Sequence, residues 1–236
     1  MSPLREMRTW TMRYEEDINI DPLRRYYLIF EGANTEKHYF RGVDNNRKEL
    51  GINSLIEIVI LSKEGEIRHY SHPSKLLVLI QEKKEELIHS GSYDEEIDQF
   101  VIVFDRDSFE TNEKYLEFVQ LAGEENILTV TCPCFEIWLI LHYEDAISHY
   151  ISNQTERIQK NEKVSNTHSY TSKLFSDLSG MNPKRALNFD ILKEHVDRAI
   201  LAEKQLEQDV RGMADKLGSN VGKLIEKMRE DPRDLL

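Results

Sequence analysis

The chain has 236 residues, 39 % of them hydrophobic and 31 % charged, with 10 Gly and 6 Pro. That length supports a sizeable core, and the composition excludes a disordered, fibrous or low-complexity protein. A formal net charge of −12 argues against a whole-surface nucleic-acid binder, two cysteines cannot staple a secreted scaffold, and no apolar run reaches the length of a membrane span.

Residues 1–25 read as a charged lead-in, and the absence of an apolar stretch between Met1 and Arg13 argues against a secretory signal. The expectation is therefore a soluble cytoplasmic protein. Tyr26 to Phe30 is a short apolar run that ends at Glu31-Gly32, which predicts a buried strand and a turn. Thr35 to Arg41 has helical spacing, with Asn34 or Thr35 as cap. Ile56 to Leu61 predicts a second strand and Ser62 to Gly65 a loop. Lys75 to His89 predicts a helix opened by Ser74 or Pro73 and ended at Gly91. Phe100 to Phe104 predicts a third strand, running straight into Asp105-Arg106-Asp107. Asn112 to Gly123 predicts a helix, Ile127 to Thr131 a fourth strand, and Cys134 to His142 a buried helix.

Four apolar strands alternating with helices predict an α/β unit with a mainly parallel sheet over residues 26–145. Residues 146–236 predict helices alone, at 156–163, 170–178, 189–211 and 222–228, forming an α-helical C-terminal region. The charge is uneven. Residues 1–145 carry 16 Lys+Arg against 29 Asp+Glu, whereas residues 146–236 carry 15 against 14. The acidic half suits a metal-binding centre, although for most of these residues a solvated acidic surface is the reading that wins.

Glu31 and the pair Asp105 and Asp107 fall at the C-terminal ends of predicted strands, where open α/β sheets place their sites. Residues i and i+2 of a strand share a side, so Asp-x-Asp aims two carboxylates at one cation. Oxygen ligands without His or Cys favour Mg²⁺ or Mn²⁺ over Zn²⁺. Gly32 permits the tight turn that lets Glu31 project. The competing reading is that these acids merely cap the following helices.

These segments resemble the RloB-like family, which includes the second protein of the AbiL abortive-infection system. Leu28 to Phe40 is similar to its opening motif, Val103 to Phe109 to its Asp-Arg-Asp motif, and Cys134 to Tyr143 to its Ser-Phe-Glu-x-Trp-Leu-Leu-Leu-His-Phe block. Ser219-Asn220-Val221 with Leu224 echoes a closing motif, in which Gly218 replaces the usual Pro; Cys134 replaces the usual Ser. The resemblance implies a Toprim-like fold related to OLD-family nucleases. Carried over, Glu31 acts as general acid or base and Asp105 and Asp107 bind Mg²⁺ or Mn²⁺. It also implies an anti-phage nuclease acting on DNA or RNA, encoded beside an AAA/ABC-type ATPase.

By the same analogy Glu136 adds a metal ligand, and Lys223 stands where related nucleases use a late Lys. For Glu136 the alternative is an ion pair with Arg106 that orders the core. His142 is either a general acid or a satisfied packing residue beside Trp138. Lys37 and His38 are candidates to meet a phosphate near a helix start. Lys173, Lys184 and Arg185 are candidates to line a groove along the tail, and all of these equally suit a solvated face. Arg106 is expected to be structural, and Cys132 and Cys134 to pack. Three functions compete: a metal-dependent nuclease, a regulatory or toxin-like module that binds its ATPase or a host factor, and a primase-like transferase. The last ranks lowest because no P-loop is present. The partners expected are a nucleic acid and the ATPase, with no membrane and a possible homo-oligomer.

Overall fold

The computed structural model describes residues 22–32, 34–61, 73–166, 168–185 and 187–231. Most of the charged lead-in and the loop expected at Ser62 to Gly65 lie outside these residues. Strand β1 (Arg24–Phe30) leads into α1 (Thr35–Asn45), β2 (Ile56–Ile60), α2 (Pro73–Ser90) and β3 (Asp98–Asp105). A 3₁₀ turn (Arg106–Ser108), α3 (Asn112–Ala122), β4 (Ile127–Cys132) and the short α4 (Glu136–Ile140) follow. Pro73 opens α2, where its missing N–H costs nothing, and Gly91 at φ +69° ends it. Asn34 precedes α1 but makes no side-chain cap bond there.

The sheet order is β2-β1-β3-β4, with the two-residue β5 (Gly218–Ser219) beside β4 at the edge. The first four strands are parallel, with Phe30 beside Val103 and Asp105 beside Thr131. Alternation along the strands divides the core. Tyr26, Leu28, Phe30, Val101 and Val103 pack with α1, α4 and tail residues such as Phe175, Phe189 and Ile225. Tyr27, Ile29, Phe100, Ile102 and Phe104 pack with α2 and α3 through Leu76, Ile80, Tyr115 and Phe118. The sheet thus carries helices on both faces, as expected of an α/β fold. The connection from β1 goes to one side and that from β3 to the other, with α1 and α3 on opposite faces. The order therefore reverses between β1 and β3, which opens a crevice at their carboxyl ends.

The tail comprises a π-helical turn (Ala146–Ile151), α5 (Thr155–Lys160), α6 (Tyr170–Ser179), α7 (Phe189–Lys193), α8 (Val196–Glu203) and α9 (Val221–Glu230). Two expectations fail here. The tail has a strand, β5 (Gly218–Ser219), antiparallel to β4 through Cys132 and Thr131. The helix expected over 189–211 breaks into α7 and α8 and stops at Glu203. Beyond it, Glu207 N–H donates to the Leu217 carbonyl at 3.1 Å and the Glu207 carbonyl accepts from Ser219 at 3.0 Å. This pairing with a distant segment overrides local helix propensity.

Candidate metal centre

Phe30 is the last residue of β1, but the Glu31 N–H still donates to the Val103 carbonyl at 2.9 Å. That bond sets Glu31 beside the end of β3. One Glu31 oxygen accepts from the Asp105 backbone N–H at 3.1 Å, and the other accepts from the Ser108 hydroxyl. Asp105 accepts from the Thr131 hydroxyl of β4 at 2.5 Å. The 3₁₀ turn carries Asp107, whose N–H donates to the Pro133 carbonyl at 3.1 Å. The Asp107 carboxylate accepts from the Asn161 side chain at 2.9 Å.

Two further acids stand here. Glu36, in the first turn of α1, is 5 % exposed and Glu136, opening α4, is 6 % exposed. A Cβ on Gly32 would lie 2.3 Å from both Glu36 carboxylate oxygens. Gly32 thus leaves room for the Glu36 carboxylate against the turn that follows β1. A cavity of about 490 Å³ is lined by Glu36, Asp105, Asp107 and Glu136, and by Asn161, Lys163 and Lys184 from the tail. Glu31 adjoins it through the Asp105 amide.

The acids repel one another where burial strips much of their solvation. Burial pushes the Glu31 carboxyl up to about 7, with the charges of Glu36 and Asp107 adding to it and the bonds from Ser108 and Asp105 opposing it. Asp105 is held well above the usual carboxylate range by burial, then by Glu36, Asp107 and Glu31. Asp107 belongs to an exposed residue, yet its carboxyl end is crowded. Desolvation raises it first and Glu136 adds, against Asn161, Arg106 and Lys184. Glu31 and Asp105 thus both feel Glu36 and Asp107, and Asp107 feels Glu136.

This donor set fits a hard cation: it is all oxygen, and Glu31, Asp105 and Asp107 accept from neutral Ser, Thr and Asn side chains. Among the described residues, no three His, Cys, Asp or Glu side chains already stand at metal-ligand spacing. The carboxylates would have to turn away from those donors to share an ion.

Of the residues singled out in the sequence, Asp105, Asp107 and Glu136 meet in the cavity and Glu31 adjoins it. Others do not. His142 is fully buried, with one ring nitrogen 3.1 Å from the Tyr39 hydroxyl and the other 3.1 Å from the Trp138 carbonyl. It is a packing residue and lines no part of the cavity. Lys223 is exposed and lines a different, larger cavity of about 670 Å³ by α3 and Asn220. Lys173 pairs with Asp177 on the surface of α6. Lys37 and His38 are half-buried on α1 and do not line the acidic cavity. Lys184 does line it.

Arg106 turns away from the acids. It donates to the Phe109 carbonyl at 3.0 Å and lies 4.9 Å over the Tyr115 ring, so it does not take up Glu136. Cys132 and Cys134 are free and buried, and burial pushes the Cys132 thiol up to about 12. Sequence reasoning missed Glu36, Asn161 and Lys163. Glu36 looked like an ordinary first-turn acid favoured by the helix dipole. The other two reach the site only through the fold of the tail.

The family model described as RloB-like protein matches residues 26–228. The match includes the tail segment from Gly218 to Val221. No curated protein and no solved structure matches the chain.

Proposed function

This chain belongs to the RloB-like family, and from its site we propose a Mg²⁺- or Mn²⁺-dependent nuclease of Toprim-like type. The observation that carries the reading is the meeting of Asp105, Asp107, Glu136 and Glu36 in one cavity, with Glu31 beside them at the β1–β3 switch point. A divalent ion there would offset the charge that develops on a phosphoryl group in hydrolysis.

Asp105 and Asp107 would hold the ion, with Glu136 and Glu36 as further oxygen donors. Glu31 is suited to move the proton. A carboxyl pushed up to about 7 is poised near neutral pH, where a general acid or base is most effective. Ser108 and the Asp105 amide fix its orientation. Without an ion, Asn161 holds Asp107 and Thr131 holds Asp105. We further propose that the cleavage serves anti-phage defence, triggered by the partner ATPase.

The test is cleavage of plasmid, single-stranded DNA and total tRNA with Mg²⁺ or Mn²⁺, with and without the ATPase. Glu31→Gln is expected to lower turnover about 10²–10⁴-fold, the range for loss of a general acid or base. Asp105→Asn with Asp107→Asn is expected to abolish it, with the far-UV spectrum unchanged. A chain that cleaves nothing, and whose variants still protect cells from phage, would instead be a binding module for its ATPase or a host factor.

A further inference from the structure

The acidic cavity has a second wall that the carboxylates do not account for. Asn161, Lys163, Ser169 and Lys184 all line it, and all come from the helical tail. Neither lysine ammonium forms an ion pair among the described residues, whereas the ammonium groups of Lys173, Lys193 and Lys204 are taken by acids. The Lys184 charge reaches the Asp107 carboxyl.

Both lysines stand on ordered backbone. The side chain of Asn161, at φ 42°, donates to Asp107 at 2.9 Å and accepts from the Thr171 N–H at 3.1 Å. Two residues on, Lys163 bridges to Ser169, and the Glu162 carbonyl accepts from Tyr170 at 2.9 Å. The Lys184 N–H donates to the Asn182 side chain at 3.1 Å, after the buried Pro183. These turns set two cations in the lining of a cavity that also holds four acids.

We propose that Lys163 and Lys184 are the phosphate-binding pair of this cavity, and that the phosphate belongs to a single-stranded nucleic acid. An anion cannot approach this many carboxylates unless cations meet its outer oxygens. Lysine supplies a point charge on a flexible stem, suited to that task. A cavity of about 490 Å³ holds a nucleotide-sized group. Duplex binding draws on roughly 6–10 phosphate contacts along a basic face; this cavity presents two lysines, in a chain of net charge −12. A flexible single strand can bring one phosphate into the cavity. The inference rests on the nuclease reading for the chemistry that follows, not for the binding itself.

Binding is measured by fluorescence anisotropy in chelator, using the full chain carrying Asp105→Asn and Asp107→Asn. Cleavage and metal then both drop out. The probes are a labelled single-stranded 12-mer of DNA, its RNA equivalent, and the matching duplex, titrated with NaCl. Adding Lys163→Gln and Lys184→Gln is expected to weaken single-strand binding at least about tenfold at low salt. The salt slope is expected to fall by about 1.4, from two contacts at about 0.7 each. Lys173→Gln is expected to change neither. Unchanged affinity and slope in the lysine variant, or a parent that binds no strand, would overturn the pair. Equal binding of the duplex with the same lysine dependence would overturn the strand class. Lysine-dependent binding by a chain that cleaves nothing would leave this inference standing and remove the nuclease reading. Cleavage indifferent to the two lysines would do the reverse.

Discussion

His142 shows how one buried contact settles a residue's chemistry. The Trp138 carbonyl can only accept, so Nδ1 carries the proton and Nε2 accepts from the Tyr39 hydroxyl. A second proton would clash with that arrangement inside a cage of Tyr39 and Trp138 rings. Burial, with the charges of His195 and Arg198 adding, holds the imidazole down to about 3. A group depressed in the fold binds its proton more readily in the unfolded chain. Its stabilisation is therefore complete above the unfolded value of about 6.5 and is lost as pH falls toward 3. Wild type should exceed His142→Gln in unfolding free energy at pH 7.5. The gap should narrow by roughly 1.4 kcal/mol per unit of pH below 6.5. Urea titrations from pH 7.5 to 5.5 check this, and a constant gap would refute it. Glu31, Asp105 and Asp107 could be read from the sequence because each stands within three residues of the end of an apolar run. Glu36 could not, since nothing local separates a site carboxylate from a helix-dipole one. Asn161 and Lys163 gave no signal, because chain folding alone brings them to the acidic cavity.

Among elements, the strands and most helices follow from apolar periodicity, whereas junctions set by distant partners do not. Helix α9 illustrates the second kind. Its first N–H groups are capped by Glu203, the last residue of α8 and fully buried. Glu203 accepts from the Ser219 hydroxyl at 2.6 Å, from Gly222 N–H and the Gln208 side chain at 3.0 Å, and from Lys223 N–H at 3.3 Å. A Cβ on Gly222 would sit 2.6 Å from a Glu203 oxygen that these bonds hold in place. Gly222 is thus required for close approach. Glu203→Ala strands two buried donors, the Ser219 hydroxyl and the Gly222 N–H, each worth about 1–3 kcal/mol, and should destabilise the fold by about 2 kcal/mol or more. Gly222→Ala should cost about 1–3 kcal/mol by overpacking. Equilibrium urea unfolding measures both, and a loss under about 0.5 kcal/mol for either would show that the cap is dispensable. Periodicity could not reveal α8 ending at Glu203, because the end is defined by acceptors for a helix that begins eighteen residues later.

At the scale of the molecule, core and tail share one apolar cluster and one cavity, so the acids are held from both sides. The arrangement works against stability. Glu31, Asp105 and Asp107 are all raised above their ordinary values by burial and mutual repulsion. A carboxyl raised in the fold binds its proton more tightly than the unfolded chain does. The associated stability is present below the unfolded value near 4 and is lost as pH rises through the folded one, about 7 for Glu31. In chelator at pH 8 the fold should carry the full repulsion, and a cation shared by the acids should relieve it. Mg²⁺ at about 100 times its Kd stabilises by about 2.7 kcal/mol, which for a chain of this size raises Tm by about 5–10 °C. The rise should be larger at pH 8 than at pH 5, where protons already occupy part of the site. Asp105→Asn with Asp107→Asn should raise Tm in chelator and remove the response to Mg²⁺. Differential scanning calorimetry at the two pH values separates the outcomes. An equal Mg²⁺ shift in wild type and variant would place the ion elsewhere. A variant less stable in chelator than wild type would mean that the Ser, Thr and Asn donors already satisfy the acids, so that no cation is needed to hold them together.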